Sequence, residues 1–200
     1  MSPQAAPVTR LIVLAAPSGA GKTTLCQRLL GDFPRLKLSI SSTTRAPRGQ
    51  EAHGKEYFFL SADEFQKQID AGGFAEWAEV HGHRYGTSRD FVDRAFAEGH
   101  SLLLDIDVVG ARNLAKAYPT ECFRVFVSPP SMAELEARLL ARGTDDARAI
   151  QRRLHNARNE MMAAAEFDHV VVNDDLERAY RELRSLVSGA LAGTPARSLA

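Results

Sequence analysis

Lys22 stands in the stretch "APSGAGKTT", residues 16–24, directly after the apolar run Leu11–Ala15. A lysine that follows closely spaced glycines and precedes a hydroxyl suits phosphate. Backbone N–H groups turn inward around the anion, the lysine meets the outer phosphates and the hydroxyl faces a divalent cation. Gly19 and Gly21 supply the backbone freedom, Thr23 the hydroxyl, and a helix starting near Lys22 the positive end of its dipole. Ala16 occupies the place of the pattern's first glycine. Alanine is the smallest side chain after glycine, so the substitution is tolerable where φ is negative. The whole stretch Ala16, Pro17, Ser18, Gly19, Ala20, Gly21, Lys22, Thr23 and Thr24 is expected to wrap the phosphates of a nucleoside triphosphate.

Three further clusters carry charge chemistry. Arg45 and Arg48 lie three residues apart with Pro47 between them. Two guanidinium forks on a stiffened loop make a monophosphate clamp, to which Tyr57 and Tyr85 could add phenolic hydroxyls. Taken alone, the same segment reads as a solvated basic turn. "LLLDID" ends an apolar run with Asp105 and Asp107. At the carboxyl edge of a parallel sheet, Asp105 could hold Mg²⁺ through water while Asp107 faces an acceptor, a helix cap being the plainer alternative. Arg138 and Arg142, one helical turn apart, form with Arg152 and Arg153 a second basic cluster around "RGTDDARAI", which reads as a mobile lid.

The elements that would position these groups follow from periodicity. Arg10–Ala15, Leu36–Ser41, Ser101–Asp107, Phe123–Ser128 and His169–Asn173 read as strands, mostly apolar runs with polar ends, as buried parallel strands do. Helical patterns fall on Lys22–Leu30, Val109–Ala117, Met132–Arg142, Ala147–Ala165 and Leu176–Leu191. Capping boxes are expected at Ser61 with Glu64 and at Ser131 with Glu134. The alternation predicts an α/β fold, three layers around a parallel sheet. Residues 42–99 break the rhythm and read as a small inserted α+β lobe, so the core comprises 8–41 and 100–190, with a lid at about 139–155. Residues 191–200 form a C-terminal tail, whose last eight residues, "GTPARSLA", look frayed.

Composition narrows the partners. The 25 acidic residues balance the 25 basic ones, so no global field selects nucleic acid or an anionic membrane. No apolar stretch reaches the roughly 20 residues a bilayer needs, and the N-terminus lacks a signal-peptide core, which points to the cytoplasm. Cys26 and Cys122 read as buried thiols rather than a disulfide, and no HExxH or CxxC suggests a transition metal.

Taken in order, "APSGAGKTT", "SISSTTRAPR", "EYFF", "FAEWAEV", "RYGTS", "LLLDID", "RLLARGT" and "VVVNDDL" resemble guanylate kinase across about residues 10–190. The succession is far more specific than a phosphate loop alone, and bacterial members often carry alanine at the first loop glycine. The resemblance implies a P-loop NTPase fold and γ-phosphoryl transfer from ATP to GMP with Mg²⁺. It implies GMP phosphate on Arg45, Arg48, Tyr57 and Tyr85, and guanine on Ser41, Glu76 and Thr87 with Asp107 nearby. It also implies Arg138, Arg142 and Arg153 closing over ATP, and Asn173 approaching adenine. Two departures stand out: Pro47-Arg48-Gly49-Gln50-Glu51 replaces the usual P-R-P-G-E, and Arg84 replaces a frequent tyrosine, expected to add a cation near the acceptor phosphate. A sugar-phosphate kinase relative would lack the guanine set, and a peptide-binding relative would have a degraded phosphate loop.

Overall fold

The computed structural model describes residues 8–80, 82–141, 143 and 146–193. Its centre is a five-stranded parallel sheet, β1 (Leu11–Ala15), β2 (Leu36–Leu38), β7 (Ser101–Asp105), β8 (Cys122–Ser128) and β9 (His169–Val172), in the spatial order β2-β7-β1-β8-β9. Every residue of β1 is buried, because helices cover both faces of the sheet. Alternation along the strand divides its side chains between two cores. Ile12 and Leu14 enter one with Leu103, Val125 and Val127, beside α1 (Lys22–Asp32) and α7 (Leu176–Leu191). Leu11, Val13 and Ala15 enter the other with Leu102, Leu104 and Phe126, beside α3 (Arg89–Ala97) and α4 (Val108–Ala117). Full burial of each Leu, Ile, Val or Phe side chain here stabilises the fold by about 1.5–3 kcal/mol.

The irregular middle of the chain builds a second sheet of β3 (Ser42–Thr43), β4 (Phe58–Phe59), β5 (Phe74–Val80) and β6 (His83–Ser88), ordered β4-β3-β6-β5. β5 and β6 form an antiparallel pair that places Glu76 opposite Thr87 and Ala78 opposite Tyr85. α2 (Ala62–Asp70) opens with the expected box: Ser61 accepts from the Glu64 N–H, and Glu64 accepts from the Ser61 N–H at 2.7 Å. α5 (Met132–Ala141) and α6 (Ala147–Met162) hold a third small core of Leu135, Leu139, Ile150, Leu154 and Ala157.

Several boundaries differ from the pattern-based expectation. β7 stops at Asp105, because Asp107 turns out of the strand and caps α4. α6 gives way at Ala163 to a short 3₁₀ turn, and β2 covers only Leu36–Leu38. Ser131 accepts from the Glu134 N–H at 3.1 Å, but the Glu134 carboxylate turns to Arg138, so half of that box forms. Gly193 ends the described chain, and the rest of the tail lies outside it.

Candidate active site

The phosphate loop turns on a backbone bond from the Ala20 N–H to the Pro17 carbonyl at 3.0 Å. Gly19 and Gly21 take φ of 100° and 93°, conformations that other residues rarely adopt. Gly21 is also the N-cap of α1 and lends it no side-chain acceptor. The first N–H groups of the helix therefore remain for an anion, where its dipole is positive. The loop is braced from behind. Asn173, buried beyond β9, donates from its amide to the Ala20 carbonyl at 2.7 Å. A Cβ on Gly21 would stand 2.3 Å from that amide, so glycine is required by space as well as by φ. Leu135 and Leu139 of α5 pack against Gly19 from the other side.

Lys22 leads from this loop into a cleft of about 420 Å³. Its ammonium pairs with Asp105 at 2.5 Å and donates to the Ile106 carbonyl at 3.2 Å. Ser41, Tyr57, Glu76 and Tyr85 line the same cleft, as do Asp105 and Asp107. Thus residues of both sheets line one cleft. Pro17, Ser18, Thr23 and Thr24 border the cleft as well, as does Ala16.

Glu76 is 7% exposed and sits on β5 facing the cleft. Its Oε1 accepts from the buried Thr87 hydroxyl at 2.7 Å. Burial, aided by the Asp107 charge and opposed by Thr87, pushes its carboxyl up to about 7. Asp107 does two jobs: it accepts from the Gly110 and Val109 N–H groups as the cap of α4, and its side chain still borders the cleft.

The arginines are held apart from that central volume. Arg45 is 6% exposed, donates to Glu51 at 2.9 Å and lies over the Tyr57 ring at 5.2 Å. Arg48 is exposed and lines a neighbouring pocket with Arg152, Arg153, Ser18 and Glu160. Arg153 reaches Ser18 of the phosphate loop at 3.4 Å. Arg138 is engaged by Glu134 at 3.1 Å and the Asn173 carbonyl at 3.0 Å. Arg142 lies outside the described residues. Arg84 does not line the cleft, contrary to expectation. Alternation on β6 turns it away from Tyr85, and its guanidinium donates to Gln66 of α2 at 2.8 Å.

Comparison with known proteins decides the family. The guanylate kinase family's sequence profile matches residues 8–190. The chain is 54% identical over 175 residues to a guanylate kinase of Nitratidesulfovibrio vulgaris, covering 88% of this chain and 84% of that one. It is 48% identical over 177 residues to one from Geobacter sulfurreducens, covering 88% and 87%. The crystal structure of guanylate kinase from Anaplasma phagocytophilum superposes with a TM-score of 0.76 at 30% identity, covering 92% of this chain and 87% of that one. The chain belongs to the guanylate kinase family.

Within the guanylate kinase frame, two acidic residues of the site escaped sequence reasoning. Glu51 accepts from the Arg48 backbone N–H at 2.8 Å and from the Arg45 guanidinium at 2.9 Å, linking the two arginine positions. Its place three residues after Arg48 was visible, but a partner for it was not. Glu160, on α6, borders both the cleft and the arginine pocket, and burial pushes its carboxyl to about 7 against the pull of Lys22. No spacing signal links it to residues over 100 positions away.

Proposed function

We propose that this chain transfers the γ-phosphoryl group of ATP to GMP and dGMP in the cytoplasm, recycling purine nucleotides as ADP and GDP or dGDP. The supporting observation is one cleft in which the phosphate loop faces a buried carboxylate on the second sheet. Phosphoryl transfer demands alignment and charge neutralisation more than covalent help. The loop N–H groups and Lys22 would take the donor phosphates, Lys22 exchanging Asp105 for a phosphate oxygen. Arg45, Arg48, Tyr57 and Tyr85 would hold the acceptor phosphate, with Glu51 keeping Arg45 aimed. Arg138, Arg142 and Arg153 would neutralise the transferring group once the lid at 139–155 closes on the lobe at 42–99, excluding water. Asn173 would serve the ATP side through the loop it braces.

Guanine presents adjacent donors, N1–H and N2–H₂, that one carboxylate can accept together. Glu76 suits that role, with Thr87 fixing its position, Ser41 donating to O6 and Asp107 nearby. Every contact so assigned reaches phosphate or base, so the deoxy sugar of dGMP should be accepted. The Thr23 hydroxyl and Asp105 carboxylate both border the cleft, and oxygen donors of this kind fit Mg²⁺. When bound, the ion would neutralise phosphate oxygens of ATP. A coupled assay of ADP release with GMP, dGMP, AMP, CMP, UMP and no acceptor tests the proposal. GMP and dGMP should turn over, and AMP should be used about 10⁴-fold less efficiently. Equal use of AMP, or ADP release indifferent to acceptor, would contradict it.

A further inference from the structure

Gly110 lies in the first turn of α4 and is buried. Its φ is ordinary, so no turn or left-handed conformation calls for glycine there. Inside a helix glycine is a poor choice, about 1 kcal/mol worse than alanine. What the position lacks is room. A Cβ at Gly110 would fall 2.9 Å from Glu76 Oε2 and 3.1 Å from Asp107 Oδ1. The other Glu76 oxygen is held by Thr87 at 2.7 Å. Two elements of the core and the second sheet therefore meet at one carboxylate. Thr87 fixes it on one side, and the bare backbone of Gly110 lets it sit on the other.

We propose that Gly110 is a specificity-determining position. Its missing side chain is what allows the Glu76 carboxylate to lie against the start of α4 in the orientation that reads guanine. The inference rests on the assignment of Glu76 to guanine. Alanine at Gly110 would leave the helix intact and push the carboxylate instead, since the end of a glutamate is the softest atom in the contact. Binding constellations tolerate only about 0.5 Å of misplacement, so a displacement of this kind reaches the substrate. Asp107 Oδ1 must give by a few tenths of an ångström, but its cap bond at 2.9 Å is to the backbone N–H of residue 110, which alanine retains.

The test compares G110A, E76Q, E76D and G110A/E76D with the parent enzyme, measuring melting temperature and steady-state kinetics with ATP, GMP and IMP, which lacks the N2 amine. G110A should melt at or above the parent's temperature and keep its ATP KM within about twofold. Its GMP KM should rise by on the order of tenfold, and its preference for GMP over IMP should shrink. The shorter aspartate withdraws from the added methyl, so G110A/E76D should be no worse than E76D alone. If E76Q is damaged while G110A uses GMP like the parent, or if G110A loses ATP and GMP alike with a lowered melting temperature, the role of Gly110 is refuted. If E76Q itself uses GMP like the parent, the guanine assignment fails and this inference falls with it.

Discussion

Lys22 rests on Asp105 at 2.5 Å with its side chain partly exposed at the mouth of the phosphate loop. Its removal opens no core cavity, so K22A should fold normally. Removing a preorganised charge from the reacting phosphates costs on the order of 10²–10³ in rate. Parent-like turnover in folded K22A would refute the loop's role. Glu76 carries a pH signature. Burial pushes its carboxyl from 4.5 to about 7. Below that value the group is protonated, and one oxygen changes from acceptor to donor. The GMP KM should therefore rise as pH falls through about 7, and more steeply in the parent than in E76Q. The GMP phosphate titrates near 6 and adds its own dependence, which E76Q should retain. The difference between parent and E76Q profiles is then the share of Glu76, and identical profiles would refute the assignment. The sign for stability is opposite. Between 4.5 and about 7 the folded protein keeps a proton that the unfolded chain releases, so this group's contribution to stability declines as pH rises through that window.

The buried face of helix α5 shows how packing braces the phosphate loop from behind. Leu139 is fully buried in the small α5–α6 core and also packs on Gly19 of the phosphate loop. L139A should cost about 2–5 kcal/mol in the stability of this region and loosen the loop. We expect the ATP KM to rise while the GMP KM barely moves, with faster amide exchange in α5 and α6. Equal losses for both substrates would show that the hairpin serves the whole cleft. These helices were legible from sequence because Leu135, Leu139, Ile150 and Leu154 repeat at helical spacing. Strand β6 and helix α3 were not separately legible. "HRYGTS" carries no apolar alternation, because Gly86 and Thr87 are the buried members of that strand, and "RDFVDRAFA" follows it with no breaker between.

At the scale of the molecule, the parallel sheet could be read because its strands are buried on both faces and so are nearly continuous apolar runs. The phosphate loop was legible because its chemistry is local: lysine, hydroxyl and glycines lie within nine residues. The wall around Glu76 is different. Glu76, Thr87 and Gly110 meet only after β5, β6 and α4 have packed, and Glu51, Glu160 and Gly110 had no sequence signal that named their partners. Among the described residues no helix is long and apolar enough to cross a membrane. The central claim is that one cleft joins a donor loop from the parallel sheet to a guanine-reading carboxylate from the second sheet. Its most direct test is the catalytic efficiency of parent and E76Q enzymes with GMP and AMP at saturating ATP. The parent should strongly prefer GMP, and E76Q should lose roughly 10²-fold or more with GMP, about 3 kcal/mol of charged hydrogen bonding, with ATP affinity unchanged. An E76Q enzyme that phosphorylates GMP as well as the parent and still excludes AMP would contradict the account.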